Sequence, residues 1–286
     1  MIILETPATM RAWADEQRTH GRRIGLVPTM GALHAGHAQL VREAASRSDV
    51  VIVSIFVNPL QFNRRDDFDR YPRPMVSDLE ACAALGVAAV FAPTGGSMYP
   101  PGFETHVEPG PLAEPMEGAG RPGHFRGVTT VVMKLFNATR PHVAVFGRKD
   151  FQQLAIISRM VTDLDLGVEI VALDTVREPD GLAMSSRNRR LTPEQRAAAA
   201  VIPRALSAAA NRREAGVAAM RSAALGVMGA EPLARLEYLE IVDPKTLRPA
   251  HNTRGDLVVL VAAWFGEVRL IDNRGITGVA DEQAHG

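Results

Sequence analysis

The sequence predicts an α/β fold: a doubly wound parallel sheet, followed by a smaller C-terminal domain of mixed α and β structure. Three observations predict it. Short apolar runs rich in β-branched residues recur along the first part of the chain. The segments between them carry apolar residues at helical spacing. After about residue 176 this alternation stops, and a helical stretch followed by strand patterns replaces it. Near-continuous apolar runs fit strands covered on both faces. Strand–helix alternation gives a sheet that gathers ligands outside the carboxyl ends of its strands.

In chain order, the predicted strands are Ile24–Val27, Val50–Val57, Val87–Ala92, Val143–Phe146 and Val168–Leu173. Between them, Val128, Val131, Val132, Leu135 and Phe136 mark one helix face, and Leu154, Ile157, Met160 and Val161 another. We divide the chain into residues 1–175 and 176–286. In the second part, Thr192 followed by Pro193 and by Gln195 reads as a capping-box helix start. Pro203 predicts a break or a second helix start in the Ala-rich stretch that runs to about Ala230. The tail reads as strands Leu236–Val242, Leu257–Ala263 and Glu267–Asp272, the last two joined as a hairpin near Phe265-Gly266.

Composition narrows the function classes. The chain has 286 residues, with Lys plus Arg and Asp plus Glu at 32 each, so its formal net charge is zero. That balance argues against a general nucleic-acid or membrane-surface binder, which needs a basic excess. The single cysteine, Cys82, excludes an intrachain disulfide and is expected as a buried small hydrophobe. No apolar run approaches the roughly 18–20 residues of a membrane span, and the opening residues lack a basic signal region. We expect a cytoplasmic protein. Trp13 and Trp264 are expected in core or interface. His20, His106, His142, His251 and His285 have no identifiable chemical neighbours in the sequence.

Four segments at predicted strand ends or loops carry chemistry. The first is Pro28 to His37, a strand–turn–helix segment with Gly31 in the turn and Gly36 where close approach is needed. His34 and His37 are three apart and share the face of a first helical turn, where unpaired amides and the dipole favour anions. The pattern suits a polyphosphate; two capping or surface histidines is the plainer alternative. A zinc site is disfavoured, because the spacing is not i, i+4 and no nearby Cys or Glu completes it. The second segment, Ser54 to Phe62, sets Asn58 and Gln61 among large apolar residues, a mixture that suits a small hydroxylated molecule. Its alternative is a simple Asn58-Pro59 turn with Gln61 exposed. In the third, Phe146 to Gln153, Lys149 suits a phosphate, Asp150 a ribose hydroxyl and Gln153 a substrate, against a solvated helix start. In the fourth, Asp180 to Asn188, Ser185, Ser186 and Arg187 read as a phosphate clamp or as a surface loop.

Taken together, PTMGALHAGH, SIFVNPLQF, RPGHFRGV, FGRKDFQQL and DGLAMSSRN, with the tail AAWFGEVRLIDN, resemble the pantoate–β-alanine ligase (pantothenate synthetase) family over about residues 1–275. HAGH is similar to the HxGH signature of the wider nucleotidyltransferase superfamily, which includes class I aminoacyl-tRNA synthetases. The resemblance implies a Rossmann-like first domain, a second domain closing over the site, and a homodimer. It implies ATP-dependent condensation of (R)-pantoate with β-alanine through an enzyme-bound pantoyl adenylate, with Mg²⁺ accompanying ATP. It places ATP on Met30, Gly31, Ala32, Leu33, His34, Ala35, Gly36 and His37, on Gly147, Arg148, Lys149 and Asp150, on Val176, and on Met184, Ser185, Ser186 and Arg187. It places pantoate between Gln61 and Gln153, with Asn58 beside them and Gln61 also facing β-alanine. His37, His34, Lys149 and Arg187 are the residues expected to stabilise the reacting phosphates, His37 with an acid role. The 61–75 segment and the 180–190 loop are expected to help close the site. Arg148 stands where the family often has Glu. Ser77-Asp78 stands where some members carry paired aspartates linked to the metal, so the metal ligands are left unknown. A cytidylyltransferase and a non-catalytic nucleotide-binding regulator are the alternatives. A tRNA synthetase is disfavoured, since no anticodon-binding extension or basic RNA surface is visible.

Overall fold

A computed structural model describes residues 1–278, and His285 lies outside the described residues. The chain divides into two compact units: Met1–Arg148 with Gln152–Thr175, and Lys149–Phe151 with the described residues from Val176 onward.

The first unit runs β1 (Ile2–Leu4), α1 (Pro7–Thr19), β2 (Ile24–Thr29), α2 (Ala35–Arg47), β3 (Val50–Ile55), α3 (Arg65–Asp69), α4 (Met75–Ala84), β4 (Ala89–Phe91), α5 (Gly95–Met98), α6 (Glu117–Gly120), α7 (His124–Thr139), β5 (Val143–Gly147), α8 (Phe151–Asp163) and β6 (Glu169–Leu173). Its six strands form one parallel sheet in the order β1-β4-β3-β2-β5-β6. Alternate side chains of each strand feed two cores. Ile24, Leu26, Val50 and Ile52 pack with Met10 of α1, with Val128, Val131, Val132, Leu135 and Phe136 of α7, and with Leu154, Ile157 and Met160 of α8. Val27, Val51 and Val53 pack with Val41 and Ala44 of α2 and Cys82 of α4. Each fully buried large aliphatic or aromatic side chain contributes roughly 1.5–3 kcal/mol. This two-faced burial is why the strands read as unbroken apolar runs. Cys82 is fully buried, and burial pushes its thiol pKa up to about 11.

The order reverses direction between β2 and its neighbours β3 and β5. A crevice outside the carboxyl ends of the strands belongs at such a switch point. β1 has no counterpart among the predicted strands: three residues on a sheet edge, with Ile2 and Ile3 exposed, leave no periodicity to read. β3 stops at Ile55, two residues short of the predicted end.

The second unit contains α9 (Pro193–Ala198), α10 (Val201–Ala210), α11 (Val217–Gly229), β7 (Ala234–Val242), β8 (Leu257–Phe265) and β9 (Val268–Ile276). Thr192 and Gln195 cap α9 reciprocally, as the spacing predicts. The Ala-rich stretch does break, and Pro203 lies in the first turn of α10, where a missing amide hydrogen costs no helical bond. The three strands form an antiparallel sheet, β7-β8-β9, covered by α10 and α11 through Ile202, Leu206, Met220 and Val259 among others. β8 and β9 form the hairpin, with Phe265 opposite Val268 and Gly266 at φ +58° in the turn. Among the described residues, no helix is long and apolar enough to cross a membrane.

Candidate active site

β2 ends at Thr29, and the chain enters α2 only six residues later. Gly31 at φ +84° and Ala32 at φ +51° make the turn in the left-handed region. For Ala32 that conformation costs roughly 1–2 kcal/mol. Asp78, on α4, offsets it. Its Oδ2 accepts from the Ala32 amide and its Oδ1 from the Leu33 amide, both at 2.8 Å, and its side chain is buried. Hydrogen bonds to a charged group contribute about 1.5–3 kcal/mol each, so the pair outweighs the strain. A Cβ at Gly31 would lie 2.9 Å from Asp78 Oδ2 and 3.1 Å from Ile55, so space as well as angle demands glycine. Asp78 is thus a brace for this loop. No group of three or more His, Cys, Asp or Glu side chains suited to a metal gathers among the described residues.

His34 is the N-cap of α2, and His37 is the third residue of the helix. The Gly36 amide donates to His34 Nδ1 at 3.1 Å, and the His34 amide donates to His37 Nδ1 at 3.3 Å. A backbone N–H is always the donor, so both Nδ1 atoms are unprotonated acceptors. The neutral rings therefore carry their protons on Nε2. The ring centroids lie 4.1 Å apart. Both rings thus use Nδ1 within the helix start and carry their hydrogen on Nε2. The capping reading of the sequence is met through the two Nδ1 atoms.

Gln61 closes a one-turn helix, Pro59–Gln61, capped by Asn58. It is buried, not exposed as a simple turn would leave it. Asn58 Nδ2 donates to Gln61 Oε1 at 3.0 Å and to the Gly127 carbonyl at 3.1 Å. Asn58 Oδ1 accepts from the Leu60 amide at 3.3 Å and from the Tyr99 hydroxyl at 2.8 Å. Gln61 Nε2 lies 3.2 Å from Met30 Sδ, which joins the β2 and β3 strand ends. The Gln61 carbonyl meets His124 Nδ1 at 2.9 Å and accepts from Arg121 at 3.2 Å. A cavity of about 260 Å³ opens beside this cluster, lined by Met30, Gly31, Ile55, Phe56, Phe68 and Arg73 among others. The 61–75 segment is tied down there. Phe62 packs edge-on against Phe68 and Tyr71, and Arg73 donates to the carbonyls of Phe68 and Tyr71.

Gly147 ends β5, the strand beside β2, and Arg148 pairs with Asp174 at 3.1 Å. Gln153 is half-buried in the first turn of α8. Its neighbour Gln152 is buried: it donates to the carbonyls of Leu112 and Pro115, each at 2.8 Å, and accepts from the Glu117 amide at 3.1 Å.

In the second unit, Lys149 Nζ lies 3.9 Å from Asp150. The loop expected at 180–188 is more ordered than its polar sequence implies. Arg177 bridges Ala183, and Met184 donates to the Val176 carbonyl at 2.9 Å. Arg177 forks onto buried Asp272 at 2.6 and 3.0 Å, and Arg196 grips Glu178 and Asp180 at 2.7 and 2.6 Å. Asn273 Nδ2 donates to the Lys149 carbonyl at 2.9 Å. Ser185 then caps a short 3-10 helix, Ser186–Arg190, accepting from the Arg187 amide at 3.2 Å. Tyr99 carries no signal in the sequence. The resemblance points toward Arg121 and His124 through RPGHFRGV, toward Gln152 through FGRKDFQQL, and toward Asp78 through Ser77-Asp78.

A sequence model of the family described as pantoate-beta-alanine ligase matches residues 2–275. The pantothenate synthetase of Heliobacterium modesticaldum is 50% identical over 276 residues, covering 96% of this chain and 98% of its own. Pantothenate synthetase 1 of Bradyrhizobium diazoefficiens is 52% identical over 274 residues, covering 95% and 96%. The solved pantothenate synthetase of Thermus thermophilus superposes with a TM-score of 0.91 at 45% identity, covering 96% of this chain and 99% of that one. The pantoate-beta-alanine ligase of Francisella tularensis, solved in complex with beta-gamma ATP and beta-alanine, gives a TM-score of 0.80 at 35% identity, covering 96% and 97%.

Proposed function

The chain belongs to the pantoate–β-alanine ligase family, and from that premise we propose that it makes pantothenate in two steps driven by ATP. In the first, a carboxylate oxygen of (R)-pantoate attacks the α-phosphorus of ATP. The bond to the bridging oxygen breaks, and pyrophosphate leaves. In the second, the amine of β-alanine attacks the acyl carbon of pantoyl adenylate, loses a proton, and expels AMP. A free carboxylate is a poor acylating group, and adenylation exchanges its basic oxygen for AMP.

The difficulty is charge: one anion must approach another while negative charge builds on the departing diphosphate. The observation that carries the proposal is the pair of Nε2–H imidazoles at the N-terminus of α2, beside the sheet's switch point. Donors fixed in advance stabilise developing charge without reorganising. The turn from Met30 through His37 is the proposed triphosphate cradle, braced by Asp78. Gly147, Arg148, Lys149 and Asp150 are proposed for the remainder of the nucleotide. Val176, Met184, Ser185, Ser186 and Arg187 are proposed for the nucleotide on motif resemblance alone. Gln61 and Gln153 are proposed to align pantoate for in-line attack. Mg²⁺ enters this proposal as part of the nucleotide substrate. A cytoplasmic homodimer is carried as part of the same proposal.

Product analysis tests the reaction. With pantoate, ATP and β-alanine, AMP is expected one-for-one with pantothenate. A nucleotide retained in the product would identify a nucleotidyl transfer instead. His37→Ala is expected to lower adenylation on the order of 10²-fold. Near-normal pyrophosphate exchange by that variant would refute the role given to His37.

A further inference from the structure

The hydrogen bonds around Asn58 fix which end of the Gln61 amide faces a ligand. Two backbone groups settle Asn58 first. The Leu60 amide can only donate, so the Asn58 atom it meets is oxygen. The Gly127 carbonyl can only accept, so the Asn58 atom facing it is nitrogen. The Tyr99 hydroxyl, 2.8 Å from that oxygen, must therefore donate. Burial raises the Tyr99 pKa, which keeps the phenol protonated for this task. The second hydrogen of Asn58 Nδ2 points at Gln61, so the Gln61 atom 3.0 Å away is Oε1.

Nε2 is then the free end of the Gln61 amide. Among the described residues it meets only a thioether, Met30 Sδ at 3.2 Å, and a thioether is a weak acceptor. The backbone is pinned as well, since His124 and Arg121 both hold the Gln61 carbonyl. Asn58 itself has no capacity left: two acceptor positions and two donor positions are all taken by protein groups. The direct substrate contact expected for Asn58 from the sequence has no atom to make it.

We propose that Asn58 and Tyr99 are positioning residues that hold Gln61 as a fixed hydrogen-bond donor, so that this position selects an oxygen acceptor on the hydroxy-acid substrate. The proposal rests on the reading that pantoate lies at Gln61. A carboxylate or hydroxyl oxygen replaces the thioether with a stronger acceptor. A group that only donates finds no partner, and rejection of mismatched polar groups is the strongest form of discrimination available to such a site.

A double-mutant cycle tests it, read as kcat/KM for pantoate in pyrophosphate exchange, with ATP affinity measured by calorimetry. Asn58→Asp keeps shape and acceptor but loses both donors, so the Gln61 amide turns over and presents oxygen. Asn58→Asp is expected to lower kcat/KM for pantoate about tenfold or more in the native background, and less than about twofold in a Gln61→Ala background. ATP affinity is expected to hold in both. Tyr99→Phe removes a single hydroxyl, and carries the test if Asn58→Asp does not fold. Its expected loss is about two- to fivefold, again only when Gln61 is present. Equal losses with and without Gln61 would overturn the proposal. A Gln61→Ala enzyme with native kcat/KM for pantoate would instead overturn the placement of pantoate on which it rests.

Discussion

Replacing Asp78 by Asn leaves one oxygen for two amides and turns an NH₂ group toward the second. We expect a loss of about 1–3 kcal/mol, the cost of an unsatisfied buried donor, measurable as a lower urea midpoint. Because those amides belong to Ala32 and Leu33, exchange activity is expected to fall as well, even though Asp78 touches no substrate in the proposed mechanism. An unchanged urea midpoint would show that the loop holds its conformation unaided. The imidazoles are legible in the sequence because two glycines and a strand–turn–helix pattern surround them. The bracing role of Asp78 is not. Asp78 lies 46 residues from Ala32, inside an ordinary helical pattern, and nothing local distinguishes a bracing carboxylate from a solvated one. Tyr99 is hidden for the same reason, 41 residues from Asn58.

Gln61 is placed by contact between elements, and α7 makes that contact at a glycine. A Cβ on Gly127 would meet the Leu60 carbonyl at 2.3 Å and the Gln61 amide nitrogen at 2.7 Å. Gly127→Ala is therefore expected to displace the Pro59–Gln61 turn and to raise KM for pantoate several-fold or more while ATP binding stays near native. Calorimetry against steady-state kinetics separates the two. In the loop from Arg177 to Asn188, the Arg196 hydrogen bonds hold the Glu178 and Asp180 carboxyls below their ordinary pKa values. A depressed carboxyl pKa stabilises the fold fully above the unfolded-state value. That stability is lost as pH falls through the lower folded value. Arg196→Gln is expected to cost about 1 kcal/mol or less at pH 7, as for a partly exposed pair. The difference in thermal midpoint from the native chain should shrink as pH falls through the carboxylate range and vanish below it. A difference that persisted there would remove the ion pairs as its cause. Elements with long period or sharp caps are readable: Thr192 and Gln195 announce α9, and the apolar stripe of α7 announces its buried face. The order inside the 180–188 loop is not, because Arg177 and Asp272 are 95 residues apart.

For the molecule as a whole, the alternation of runs reveals the fold class but not the strand order, which depends on pairings far apart in sequence. That order matters to function, since it puts the β2 and β5 ends side by side at a switch point. The chain is formally neutral, so the proposed mechanism relies on local donors, the paired imidazoles, amides and a few cations, rather than on a global field. The central claim is that these donors support formation of an acyl adenylate before any amine arrives. The direct measurement is incorporation of labelled pyrophosphate into ATP without β-alanine, with and without pantoate. Exchange that appears only when pantoate is present is the predicted result. Absence of exchange with pantoate, or exchange that needs β-alanine, would contradict it.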